Sequence, residues 1–564
     1  MMRSRSTILS CIVSASMCMA CGDDSSTSEA PPATQPPARG ESSGTPGGTG
    51  TTGIPLGAAA LFTRASLDIR GVRPTLDELG ELDDDPTRLA ALLDGLMDDP
   101  RLMGRVKEMF APAFRTRVDL YPHAEQIEAG QTDDEASEEA SGFSISAAMG
   151  EEPLDLIAWI LREDRPFTDV VLAEHTVIDP RLIGPWPLRQ VDGWAPEGTV
   201  LAEYTDGRPP AGVISMNGMW WRHLSTEENA NRGRANALSS ALLCESYLDR
   251  PIDFPRNIDL TDSESIRTAI KSNAACAACH ATLDPLASHL WGFMYRGESA
   301  SSMARYLAAQ ERDWQITTEA APSYYGKPTS SMRDLAIEIA RDERFVMCAV
   351  KRIYGSLIGR PLTLQDDGAL ATHREVFLAS GLKLKSLIRS ILDDPAYRGL
   401  SARTEFGGRP EGVTYTLVTP EILASDLEDL TGYRIRRAGV DLLRLDGSLR
   451  AVAGGSDSGS ATTPSTGLVL VQRRLSEAAA AAMVDGDTEG RLSTVLEGAY
   501  EDEPTAEAVS MVLRMATGRE ASVEGPEVAA LMALWSEIDT LTTSREAWIG
   551  MLTAILADPE RLVR

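Results

Sequence analysis

The sequence predicts a mainly α protein built as several helical bundles, with few or no strands. Most segments after residue 57 carry apolar residues at three-and-four spacing, as in TRLAALLDGLM (87–97) and RDLAIEIARDERFVMCAVKRIYGSLIG (333–359). Runs that alternate apolar and polar residues are scarce. The composition, 43% apolar with only 5% aromatic, suits helix cores of Leu, Ala, Ile, Val and Met. A chain of 564 residues exceeds one ordinary core. The expected units are an N-terminal helical unit (57–120), a helical region (150–330), a further helical unit (331–405) and a C-terminal unit (412–564).

The first twenty residues read as an export signal, with Arg3 and Arg5 ahead of a short apolar stretch that ends at Ala20. Cys18-Met19-Ala20-Cys21-Gly22 resembles a bacterial lipobox, which makes Cys21 the expected lipidation site. Residues 21–56 are rich in Ser, Thr, Gly and Pro, a composition that cannot bury a core, and read as a flexible tether. The expected location is the cell envelope, lipid-anchored, in the outer membrane of a Gram-negative bacterium. A net charge of −29 argues against nucleic-acid binding through phosphates.

Three stretches share an order of signals. GVRPTLDELGEL (71–82), GRPLTLQDDGAL (359–370) and GREASVEGPEVAAL (518–531) each open on Gly, followed by a capping residue: Thr75, Thr363 or Ser522. The helix after each ends near an Asp-Pro pair, because Pro100, Pro395 and Pro559 disfavour an α conformation in the residue before them. Duplication of a helical unit is the expected origin. The acidic run 125–152 and the Gly/Ser/Thr run 453–467 read as loops.

Cys276-Ala277-Ala278-Cys279-His280 is the one specific chemical motif. At this composition C-x-x-C-H arises by chance about once in a thousand such chains. Two thiols on adjacent helical turns can take the two vinyl groups of one porphyrin, with the neighbouring imidazole ligating iron. Zinc needs a second ligand pair, and Cys244 and Cys348 stand alone. A redox dithiol calls for a βαβ setting, and the surroundings are helical. The expected cofactor is one covalent haem c, with Cys276 and Cys279 as thioethers and His280 as proximal ligand.

The run RGRANALSSALLCESYLDRPIDFPRNIDL (232–260), continuing to SIRTAIKSNAACAACHATLDPLASHLWGF (265–293), resembles the single-haem domains of unknown function in planctomycete-type cytochrome c proteins. Their motif continues C-x-x-C-H-x-x-(I/L)-D-P, as His280 to Pro285 does here. LREDRPFTDVVLAEHTVIDPRL (161–182) and FVMCAVKRIYGSLIGRPLT (345–363) resemble the domains that flank it. Beyond Pro285 the chain departs from the family, with Ala287 and Trp291-Gly292-Phe293-Met294 where Gly and then Glu-Asn-Phe-Asp are usual. The resemblance implies a haem protein without implying a reaction.

Met332, 52 residues after His280, is the first candidate for the sixth iron ligand; Met294, Met303 and His289 are the alternatives. Asp284-Pro285 reads as a turn after the attachment helix. In an oxidising compartment Cys244 and Cys348 are expected to pair. The functional expectation is electron transfer to an unknown redox partner protein, with membrane attachment through the N-terminal lipid. The alternatives are an open-iron, peroxidase-like enzyme, or a surface scaffold with a structural or vestigial haem.

Overall fold

A computed structural model describes residues 56–117, 135–294, 306–399 and 416–564, apart from 221–222, 224, 227, 250–257, 260, 438–439, 445–446, 457–458, 461–462, 497 and 501. The expected export signal, Cys21, the expected tether up to residue 55 and Met303 lie outside the described residues. The architecture is mainly α, and every strand is short. Among the described residues no helix is long and apolar enough to cross a membrane.

Local chemistry explains where the helices begin. Helix α1 (Ala58–Arg70) ends at Gly71, whose φ of 74° gives the left-handed cap that glycine adopts without strain. Thr75 and Glu78 then form a reciprocal capping box for α2 (Leu76–Asp84). Helix α3 (Leu102–Phe114) follows the Asp99-Pro100 stop. Thr363 makes the same kind of box with Asp366. Ser522 does not cap: its carbonyl closes a turn onto Gly525, and the third helix starts from Gly525 with Pro526 at its first position.

The acidic run does not remain a loop to its end. Helix α4 (Glu135–Arg162) takes up its second half. Glu151 is neutralised by Arg117 and Lys107, each at 2.6 Å. Glu152 is fully buried and accepts from Thr176 Oγ1, Tyr204 Oη and the Gly218 amide at 2.7–2.9 Å. Its hydrogen bonds tie α4 to an antiparallel sheet of β1 (Thr176–Ile178), β2 (Leu188–Gln190) and β3 (Val200–Tyr204), ordered β1-β3-β2. Val177 faces Leu201 and Arg189 faces Glu203 in its register. These acids are interior because donors from distant segments compensate their desolvation.

The core does not divide at the expected boundaries near 120, 150 and 331. Leu61, Phe110, Ile157, Leu238, Leu335 and Leu387 belong to one continuous apolar cluster. That cluster is crossed by α5 (Arg232–Leu243) and, beyond α6 (Ser263–Ser272), which adds no described residue to it, by α7 (Ala274–Ala287), α8 (Met332–Arg341), α9 (Glu343–Ile358) and α10 (Leu384–Leu392), with α7 and α8 entering through Leu286 and Met332. The C-terminal segment has a second core around α11 (Pro420–Thr431), α12 (Thr466–Val484), α13 (Ala506–Thr517) and α14 (Ser544–Leu556). Leu67 of α1 belongs to this second core, so one helix serves both. A polar contact lies just beyond α1, where Arg73 joins Arg561 of the C-terminal segment in binding the buried Asp426 carboxylate.

Candidate haem-attachment site

Asn273 ends one helix and starts the next. Its amide donates to Ala269 O at 2.8 Å, closing α6, while its side-chain oxygen accepts from the Ala275 and Cys276 amides at 3.0 and 3.3 Å, opening α7. Cys276, Cys279 and His280 therefore sit in the first two turns of α7, and their i, i+3, i+4 spacing puts them on one face. Both thiols are unpaired and half-buried. Cys279 packs against the main core. Leu283, Leu286, Ala287 and Leu290 bury the following turns, so a rigid base carries an accessible motif.

The His280 side chain is 22% exposed, and its Nδ1 lies 2.8 Å from Asp284 Oδ1. Arg232, the first residue of α5, donates to both oxygens of the same carboxylate: Nε to Oδ1 at 2.7 Å and Nη2 to Oδ2 at 2.9 Å. Burial opposes the charged form of Asp284, but the hydrogen bonds from Arg232 and His280 outweigh it and hold the carboxyl below its usual range. A carboxylate can only accept, so Nδ1 is the donor in this pair and Nε2 is the nitrogen left for a metal. This is the arrangement in which a carboxylate fixes the orientation and tautomer of a metal-binding histidine.

Asp284-Pro285 is not a turn. Helix α7 continues through Pro285 to Ala287. The proline removes one ladder donor, yet the ion pair at Asp284 and the burial of Leu283 and Leu286 on either side hold the segment helical. The i, i+4 pairing of His280 with Asp284 depends on that continuity. Asp284 and Arg232 are the site residues that the sequence reading missed. H-x-x-x-D on one helix is a signal for the first; nothing local points to Arg232, 52 residues away.

Three of the four candidate sixth ligands are described, and all are interior. Met332 is 1% exposed at the start of α8, which Ser331 caps from its side chain at 3.1 Å. Met294 is 1% exposed and packs with Ala230 and Trp291, with the half-buried Trp314 against them. His289 has both ring nitrogens engaged, Nδ1 by Leu286 O at 3.1 Å and Nε2 by Thr329 Oγ1 at 2.7 Å, and burial holds its pKa down at about 4.

A disulfide joins Cys244 to Cys348, with Cα atoms 5.3 Å apart. Cys244 caps the C-terminus of α5, in the left-handed conformation with φ 55°, and Cys348 is on α9. The bond thus anchors the far end of the helix that presents Arg232 to Asp284. Among the described residues no group of three or more His, Cys, Asp or Glu gathers as a metal site. Two thiols and one imidazole are fewer donors than a protein-only zinc site takes, and would suit a porphyrin, whose ring nitrogens supply most of the iron's ligands.

A mainly α protein with a C-x-x-C-H helix and a carboxylate-held histidine is the class that fold and site define together. Compared with known protein families, curated proteins and solved structures, the chain matches none.

Proposed function

We propose that this chain is an exported, lipid-anchored haem c protein that transfers electrons between partners of the cell envelope. Cys276 and Cys279 hold the porphyrin by thioethers and His280 Nε2 ligates its iron. The single observation that carries this reading is the His280 ring held through Nδ1 by Asp284, beside two unpaired thiols on the same helix face. Bound haem supplies reversible one-electron exchange; the chain contributes attachment, axial ligation and a docking surface. Burial of Met332 and Met294 and the double hydrogen bonding of His289 favour a second reading, an iron open on its distal side that binds small ligands.

The test is production in a host that attaches haem c. The mature chain is expected to gain the mass of one haem and to show the absorption bands of pyridine-treated haem c. Cys276→Ala with Cys279→Ala removes both signals. A folded, colourless wild-type chain at its bare polypeptide mass sinks the reading. Carbon monoxide or cyanide binding without displacement of a protein ligand selects the open-iron form.

Asp284 gives a second expected result on the same material. A carboxylate on Nδ1 raises the basicity of the ligating histidine and stabilises the oxidised iron. Asp284→Asn therefore raises the midpoint potential, whereas Arg232→Gln, which frees the carboxylate to polarise the ring, lowers it. Potentiometric titration reads both, and shifts of the same sign would count against the assignment.

A further inference from the structure

A cavity of about 410 Å³ opens between α3 and α9 of the main core and the segment that enters the second core at Thr416. Six arginines line it: Arg105, Arg117, Arg352, Arg360, Arg450 and Arg564. Only two acidic side chains, Glu108 and Glu421, share that lining. Gathering cations in this way is unexpected in a chain of net charge −29.

Counter-charge from behind the wall is incomplete. Arg117 is matched by Glu151, Arg360 by Asp366 and Arg450 by Glu421, at 2.6–2.9 Å. Arg105 pairs with Glu108. Arg564 reaches Asp68, but Arg64 draws on the same carboxylate from 3.9 Å. Among the described residues Arg352 has no acidic partner; its Nη2 donates to the carbonyls of Ser240 and Ala241 at 2.7 Å each. Burial accordingly holds Arg105 and Arg352 down at about 10 and Arg564 at about 9.

We infer that this cavity binds a small polyanion bearing carboxylate or phosphate oxygens, seated between Arg352, Arg360 and Arg564. Planar guanidinium forks match either oxyanion with paired hydrogen bonds, and a partly buried cavity strengthens them. The volume lies within the range of small-molecule sites. Because the walls come from both cores, occupancy would also hold the cores together, so binding and global stability are linked. The site is separate from α7, and its test does not depend on haem.

Thermal unfolding and calorimetric titration of the whole chain, with citrate, succinate and inorganic phosphate at ionic strength matched by chloride, decide the matter. A saturable rise in unfolding midpoint with citrate or succinate identifies a polycarboxylate; a rise with phosphate alone identifies a phosphate source for the same chemistry. Arg352→Gln is expected to weaken binding by about tenfold or more. Ser356→Glu, on the lining and within α9, places a carboxylate among the cations. It is expected to raise the midpoint without ligand and to abolish the response to ligand. No saturable effect beyond chloride overturns the inference, as does equal binding by wild type and both variants.

Discussion

Replacing Asp426 with asparagine lowers the unfolding free energy by about 3–5 kcal/mol, the usual cost of removing one partner from a buried ion pair. The Asp426 carboxylate is 2% exposed, and two guanidinium groups depend on it, those of Arg73 and Arg561, themselves 3% and 2% exposed. Arg561 Nη2 donates to Oδ2 at 2.6 Å, Arg73 Nη1 binds the same oxygen, and the Arg73 amide donates to Oδ1 at 3.2 Å. Asparagine keeps the shape but removes the anion that both buried cations bind directly. Urea denaturation at pH 7 measures the loss as a lower midpoint at constant slope. A change within about 1 kcal/mol, the scale of an ordinary exposed pair, would refute the role given to Asp426.

The same substitution carries a pH signature. Burial pushes the Asp426 carboxyl up, but Arg73 and Arg561 outweigh it and the net shift is downward. An acid depressed on folding contributes stability that is fully present above its unfolded pKa, about 3.9, and is lost as pH falls through the folded value. The gap between wild type and Asp426→Asn is therefore flat from neutral pH down to about 4 and narrows below it. A gap that widens on acidification contradicts this assignment.

Loss of the Cys244–Cys348 disulfide is the other large effect. The bond closes a loop with a sequence separation of 104, and for a loop of that order the chain-entropy relation gives about 4.7 kcal/mol. Cys244→Ser with Cys348→Ser is expected to cost about 3–5 kcal/mol, read as a fall in denaturation midpoint. Reductant should reproduce the fall in wild type and add nothing to the double variant. Alkylation mapping of the unfolded chain without reductant should leave both cysteines unlabelled; label on either one ends the prediction. Since the bond anchors α5, the Arg232 contact with Asp284 should loosen in the variant, which links a redox event on one helix to the electrostatics of the candidate site.

Much of the local structure was legible because its causes are local. Three-and-four spacing marked the helices, and Thr75 and Thr363 announced their caps. The same reasoning failed where a distant partner changed the local balance. Acids at 151–152 looked solvated until Arg117, Lys107 and the sheet supplied their donors. Pro285 looked like a helix stop until Arg232 and His280 fixed the residue before it.

What the sequence determined by itself is where most helices lie and the spacing of Cys276, Cys279 and His280, since periodicity, capping and motif spacing all act within a few residues. The tertiary structure alone decided which groups charge and orient that trio, how two cores share α1, and where arginines gather. Those outcomes depend on pairs such as Arg232 with Asp284 and Arg73 with Asp426, 52 and 353 residues apart. Coulombic and hydrogen-bond energies depend on distance in space, and spacing along the chain does not encode that distance until the chain has folded.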